Sequence, residues 1–179
     1  MAVLRLVPIH CGTRTPLLAL LAEQLQKTFG LEVQHAPPGF DCEVAFDASR
    51  GQYNSRILLA RLLQDTPPEV TRVLAVAGVD LFIPVLTYVF GEAQLGGRAA
   101  IVSMHRLDDE IYGLPPNPKR LFERLCKEAV HELGHTFDLV HCHRERCVML
   151  SSTYVEDIDL KSETFCAACL TATRAAVLR

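Results

Sequence analysis

The stretch from Pro115 to His141 constrains this chain more than any other part of it. Pro115 and Pro116 interrupt whatever precedes them, Asn117 offers an N-cap side chain, and Pro118 suits the first helical position, so a helix starts here. Taking His131 as reference and about 100° per residue, Leu121, Phe122, Leu125, Cys126, Ala129, Leu133 and Phe137 share one broad arc. His131 and His135 stand on the opposite side. The helix therefore needs a layer to bury its apolar arc against, and it presents two imidazoles one turn apart on the other face. Arg120, Arg124 and Lys127 fall near the imidazole side but upstream of it, and read as a solvated charged face.

Two His four residues apart on a helix can bind one zinc ion through neutral ring nitrogens. Glu132 is turned by about 100° from His131, which puts its carboxylate beside such a metal, where it can take a proton from a water the metal polarises. His141 lies beyond the helix, so the chain must turn back for it to provide the third nitrogen. Three protein ligands leave one position open, as hydrolytic zinc requires. The expected catalytic site is thus His131, His135 and His141 around zinc, with Glu132 as general base. Asp138 is the competing third ligand.

A second cluster follows directly. Cys142, Cys147, Cys166 and Cys169 form two pairs with the spacing of a closed, tetrahedral, all-thiolate zinc site, giving two zinc ions per chain, one catalytic and one structural. The competing readings are a redox pair at Cys166 and Cys169, or two disulfides, with His143 as a stand-in ligand if one thiol is absent. Cys11, Cys42 and Cys126 have no partner pattern and read as buried apolar residues. The apolar stretch at residues 2–9 carries Arg5 and no small-residue cleavage pattern follows it, so it reads as a first strand and not as a signal peptide. Seven Cys without an export signal point to a reducing compartment, the cytoplasm.

The rest of the chain bounds the answer. With 179 residues, 49% hydrophobic, it suits one compact domain over 1–179. A formal charge of −3 gives no field for nucleic acid or anionic membrane, and no apolar run reaches the roughly 18 residues of a membrane span. Strand-like and helix-like segments alternate, which predicts an α/β layer fold. Residues 3–9 read as a strand and 15–29 as a helix stopped by Gly30. A short strand at 31–35 is followed by a helix capped by Asn54 and running to about Gln64. Residues 70–79 are the strongest central strand, 91–97 a flexible turn region, and 98–104 another strand.

Taken whole, the pattern His-Glu-x-x-His-x5-His-Cys-x4-Cys-x-Met followed by Cys-x-x-Cys resembles the archaemetzincin family of metalloproteases. Gly78-Val79-Asp80-Leu81-Phe82, Tyr88-Val89-Phe90-Gly91-Glu92-Ala93 and Ala100-Ile101-Val102-Ser103-Met104-His105-Arg106-Leu107 look like that family's central blocks, so the likeness spans about Gly78 to Cys169. The resemblance implies a metzincin-like fold: a twisted mixed sheet with a backing helix and an active-site helix over about 1–137, and a small zinc-stabilised C-terminal part over about 138–179. It also implies that Met149 forms a turn beneath the zinc ligands. Metzincins carry Gly where this chain has Asp138, and often a Tyr where it has Ser151. Asp tolerates the left-handed turn at modest cost, and Tyr154 or Tyr112 can stand in for the missing phenol.

The expectation is a monomeric zinc metallopeptidase that hydrolyses peptide or protein substrates lying extended along an edge strand, for which 98–104 is the candidate. The alternative is a zinc-binding module that holds a peptide or partner without cutting it.

Overall fold

The computed structural model describes residues 2–177. In chain order the strands are β1 (Val3–Ile9), β2 (Glu32–His35), β3 (Phe46–Asp47), β4 (Gln52–Asn54), β5 (Arg72–Ala77), β6 (Leu81–Phe82), β7 (Gly91–Ala93) and β8 (Ala99–Ser103). The helices are α1 (Leu17–Phe29), α2 (Ser55–Gln64), α3 (Pro118–Thr136), α4 (Val155–Leu160) and α5 (Ala167–Val177). The main sheet has the order β2-β1-β5-β8-β7, parallel throughout except for β7, which runs antiparallel to β8. A small second sheet joins β3, β4 and β6.

The central strands are apolar on both faces because both are covered. Leu4, Leu6, Leu74, Val76, Ala100 and Val102 point into the core shared with α1 and α3. Their neighbours Val7, Ile9, Val73, Ala75, Ala99 and Ile101 point into the core under α2. That alternation is the period of two of a strand. Three expected helices form where capping chemistry places them. Asn54 Oδ1 accepts from the Arg56 N–H at 3.1 Å, and Asn117 Oδ1 accepts from the Arg120 N–H at 3.0 Å. Gly30 closes α1 with φ 68°, a conformation that costs glycine nothing.

Two expectations are corrected here. The segment 91–97 is not all turn: its first three residues are strand β7, which pairs Gly91 with Val102 and Ala93 with Ala100. Consequently 98–104 is not an edge strand, because β8 is flanked by β5 and β7. The edge is β7. Glycine and a short polar stretch concealed it, since three residues are too few to show alternation.

Of the three cations upstream of the His motif, Arg120 is exposed as expected, but Arg124 and Lys127 do not form a solvated face. Arg124 is buried and bonds Asp109 at 2.8 Å, Asp159 at 2.8 and 2.7 Å, and the Leu107 carbonyl at 2.8 Å. Arg120 adds a bond to Asp109 at 3.1 Å, and Lys127 Nζ donates to the Ile158 carbonyl at 2.9 Å. These residues fasten α3 to the turn after β8 and to α4.

Candidate active site

Helix α3 carries its two His toward a cleft bounded above by β7 and the loop before it, and below by the segment that follows Met149. The cleft encloses a cavity of about 650 Å3 lined by Glu128, His131, Glu132, His135 and His141 among others. The helix ends because Asp138 takes φ 66°, the left-handed conformation expected of the residue at this turn. The Asp138 N–H bonds the His135 carbonyl at 3.0 Å and the Leu139 N–H bonds the Gly134 carbonyl at 3.2 Å. That turn sends the chain back, and His141 arrives beside the other two rings. The ring centroids lie 4.7, 5.3 and 5.0 Å apart, and one nitrogen from each ring lies within 4.8 Å of the other two. Asp138 itself is exposed and stands outside this cluster.

Two backbone carbonyls set the rings. His131 Nδ1 lies 2.9 Å from the Val148 oxygen, and His135 Nδ1 lies 2.7 Å from the Leu139 oxygen. A carbonyl only accepts, so in both rings Nδ1 holds the proton and Nε2 keeps its lone pair. Those two Nε2 atoms face each other at 3.1 Å. Lone pairs that close repel one another unless a cation lies between them. Zinc bonds to nitrogen of 2.0–2.1 Å at tetrahedral angles place two ligand nitrogens about 3.3 Å apart, so the residues present fit the ion. Burial first, and then the ammonium of Lys161, hold His131 well below the ordinary histidine range. Burial likewise lowers His135 and His141, which favours the neutral ligand form.

Glu132 is buried beside the His triad. Burial, reinforced by the charge of Glu128, pushes its carboxyl well above the usual carboxylate range, and Lys161 opposes this. Its place depends on Gly91 in β7: a Cβ there would come within 2.7 Å of Glu132 Cγ and Oε1 and within 2.5 Å of the Ile101 carbonyl oxygen. Below the triad, Met149 is fully buried, and its sulfur lies only 2.5 Å from where a Cβ on Gly134 would stand. The absent side chain of Gly134 is what lets the Met turn press against α3. Ser151 and Tyr154 both line the cavity, Tyr154 being 64% exposed, whereas Tyr112 bonds the Arg106 carbonyl at 2.9 Å and stands outside the cavity lining.

The four cysteines also converge, with their sulfurs all within 4.8 Å of one another. Cys142 and Cys166 sulfurs stand 3.9 Å apart, far beyond a disulfide bond and close to the roughly 3.8 Å edge of a tetrahedral zinc–thiolate site. Backbone N–H groups of Arg144 and Cys166 point at Cys142 and Cys147 sulfurs, each at 3.4 Å, as suits thiolates. The Cys169 backbone N–H, helped by the neighbouring thiols, brings Cys166 down to about 7, while burial pushes Cys147 and Cys169 up. Cys11, Cys42 and Cys126 are buried and unpaired among the described residues. Elsewhere, His10, His35, His105 and His143 join no cluster of metal-binding groups among the described residues.

Sequence reasoning passed over Gly91, Glu128 and Lys161. Glu128 carried a signal, since on the helical wheel it falls between His131 and Glu132. Lys161, whose Nζ lies 2.7 Å from Glu128 Oε1, carried none, because only the fold brings it under α3.

A His-rich active-site helix below an antiparallel edge strand, on a mixed sheet with a cysteine-knit C-terminal part, defines a zinc metallopeptidase of the metzincin type. Residues 37–174 match peptidase family M54, and the chain belongs to this family, the archaemetzincins. It is 42% identical over 156 residues to the archaemetzincin of Methanocaldococcus jannaschii, covering 86% of this chain and 83% of that one. The crystal structure of archaemetzincin from Methanopyrus kandleri superposes with a TM-score of 0.84 at 34% identity, over 99% of this chain and 96% of the other. That from Archaeoglobus fulgidus, complexed with malonate, gives 0.82 at 35% identity over 95% and 99%.

Proposed function

We propose that the chain hydrolyses peptide bonds with His131 and His135 holding one zinc through Nε2, His141 supplying the third nitrogen and Glu132 acting as general base. The observation that carries this reading is the pair of Nε2 lone pairs facing at 3.1 Å with both Nδ1 protons committed to carbonyls. A zinc held by these residues would supply a Lewis acid for the scissile carbonyl and a bound water with a pKa of about 7. Glu132 takes the proton from that water as its oxygen attacks the carbonyl carbon, and then delivers the same proton to the departing amine nitrogen as the C–N bond breaks. The substrate lies antiparallel along the exposed edge of β7, which offers main-chain hydrogen bonds independent of side chain. Tyr154, on the cavity wall, stands in for the phenol absent at Ser151.

Cys142, Cys147, Cys166 and Cys169 hold a second, structural zinc. Because Cys142 follows His141 directly and the Cys142 N–H bonds the Met149 carbonyl at 2.9 Å, this ion fixes the third ligand and the Met turn together. We read the protein as a monomer of the reducing cytoplasm with no nucleic-acid or membrane partner. No helix among the described residues is long and apolar enough to cross a membrane. The test is a diverse peptide library incubated with protein of measured zinc content. The reading predicts about two zincs per chain, cleavage that stops on chelation, and recovery on adding zinc back. Tight binding of peptide hydroxamates with no peptide cut would establish the partner-holding module instead.

A further inference from the structure

Resting on that reading, the structure assigns a specificity-determining role to Glu128, and we infer that it selects a neutral hydrogen-bond donor in a substrate residue flanking the scissile bond. Glu128 lies one turn before Glu132 on α3, about 6 Å along the axis, and lines the same cavity. It is only 3% exposed. A residue at that depth normally has its oxygens fully engaged. Glu128 does not. Lys161 Nζ stands 2.7 Å from Oε1 as an ion pair but off the hydrogen-bond direction, and that oxygen is closed off without a hydrogen bond, so Oε2 is the oxygen left for the cavity. Lys161 is otherwise committed, donating to the Leu150 carbonyl at 3.1 Å, and its side chain is 1% exposed, so it supports the carboxylate from behind without entering the cavity. A carboxylate has about four acceptor sites, and one ion pair leaves the rest to whatever fills the cavity.

The shape of this end of the cleft favours a side chain over a continuing backbone. Gly91 stands over Glu132 and the Gly96 N–H bonds the His135 carbonyl at 2.9 Å, so the chain traced back from Gly91 runs toward the Glu128 end of α3. There Tyr88 OH bonds the Thr153 carbonyl at 2.8 Å, joining the upper rim to the lower one. The cavity has apolar residues in its lining, including Leu86 and Phe90, together with the Glu128 acceptor. The charge balance chooses the donor. Lys161 already neutralises Glu128, so a substrate cation would meet a fixed ammonium across one shared carboxylate, and a substrate carboxylate would meet Glu128 directly. A carboxamide or hydroxyl on an apolar stem satisfies Glu128 without adding charge.

The experiment uses acyl-peptide hydroxamates that differ at one residue, Gln against its near-isostere Met, with Glu and Lys as controls, at each position next to the zinc-binding group. Affinities are measured on the zinc-loaded protein and, with the matching plain peptides, on chelator-treated protein. At one of those positions the Gln ligand binds about tenfold more tightly than Met, and more tightly than Lys or Glu, the gain of one hydrogen bond to an ionised acceptor. In the double variant Glu128→Met/Lys161→Met, which replaces the buried pair by packed apolar groups, that ratio falls to about one while the Met ligand still binds. Equal affinity for Gln and Met in the wild type, or a preference that survives the double variant, overturns the assignment. Selective binding without peptide cleavage would leave the assignment standing and overturn the peptidase reading instead.

Discussion

Replacing Gly91 by Ala tests how the sheet edge serves the chemistry. The new Cβ would stand 2.5 Å from the Ile101 carbonyl oxygen and 2.7 Å from Glu132 Cγ and Oε1, whereas ordinary contact begins near 3.4 Å. The carbonyl belongs to the neighbouring strand and cannot retreat, so the strain falls on β7 and on the Glu132 carboxylate, each displaced by several tenths of an ångström. Overpacking of this kind costs about 1–3 kcal/mol, or roughly 3–10 °C in Tm for a chain of this size. The functional loss is larger, because misplacing a catalytic group by nearly 1 Å costs about 10²-fold in rate. The three atoms nearest the added methyl belong to Ile101 and Glu132 and none to a His ring, so zinc content should hold. The assay is kcat/KM on a cleaved library peptide, beside metal analysis and a thermal melt. A Gly91→Ala protein that is folded, fully zinc-loaded and as active as wild type would refute the placement of Glu132 against β7.

Three further outcomes follow from the same geometry. Lys161→Met leaves the Glu128 charge buried alone and should destabilise the fold by about 3–5 kcal/mol in denaturant titration, while Glu128→Met/Lys161→Met should come within about 1 kcal/mol of wild type or exceed it. In metal-free protein Glu132 has a raised pKa, so between about 4.5 and the folded value the folded state binds a proton that the unfolded state has released, and stability falls as pH rises through that window. Glu132→Gln should therefore melt higher than wild type at pH 7 without metal, an advantage that shrinks toward pH 4.5; a constant difference across that range would contradict the burial argument. Cys166→Ser should reduce the zinc count from about two to about one and lower Tm, and loss of both ions would mean the thiolate site governs the His site completely.

Much of this site was legible because helical spacing is a strict geometric rule. His131, Glu132 and His135 could be placed around α3, and Asn117 at its start, from 100° steps and capping chemistry alone. The turn at Asp138 was legible through the resemblance to metzincins, which carry Gly there, because Asp is among the few other residues that accept positive φ. The convergence of four cysteines on one another, each with its sulfur within 4.8 Å of the rest, also follows their paired spacing. What escaped depended on long-range packing. β7 has three residues, one a glycine, and no periodicity to betray it. Arg124 looked like a surface cation because nothing near it in sequence announced the carboxylates of Asp109 and Asp159. Lys161 lies 33 residues from Glu128 along the chain, so its burial beneath α3 appears only once α4 is folded back.

The central claim is that Glu132 carries the proton for peptide hydrolysis at a zinc held by the His triad. Cleavage of the best library peptide by Glu132→Ala protein, with zinc content measured on the same sample, tests it most directly. The account predicts zinc retained at the wild-type level and a rate lower by about 10²–10⁴-fold, the range of a lost general base. Wild-type cleavage by the zinc-loaded variant would contradict it.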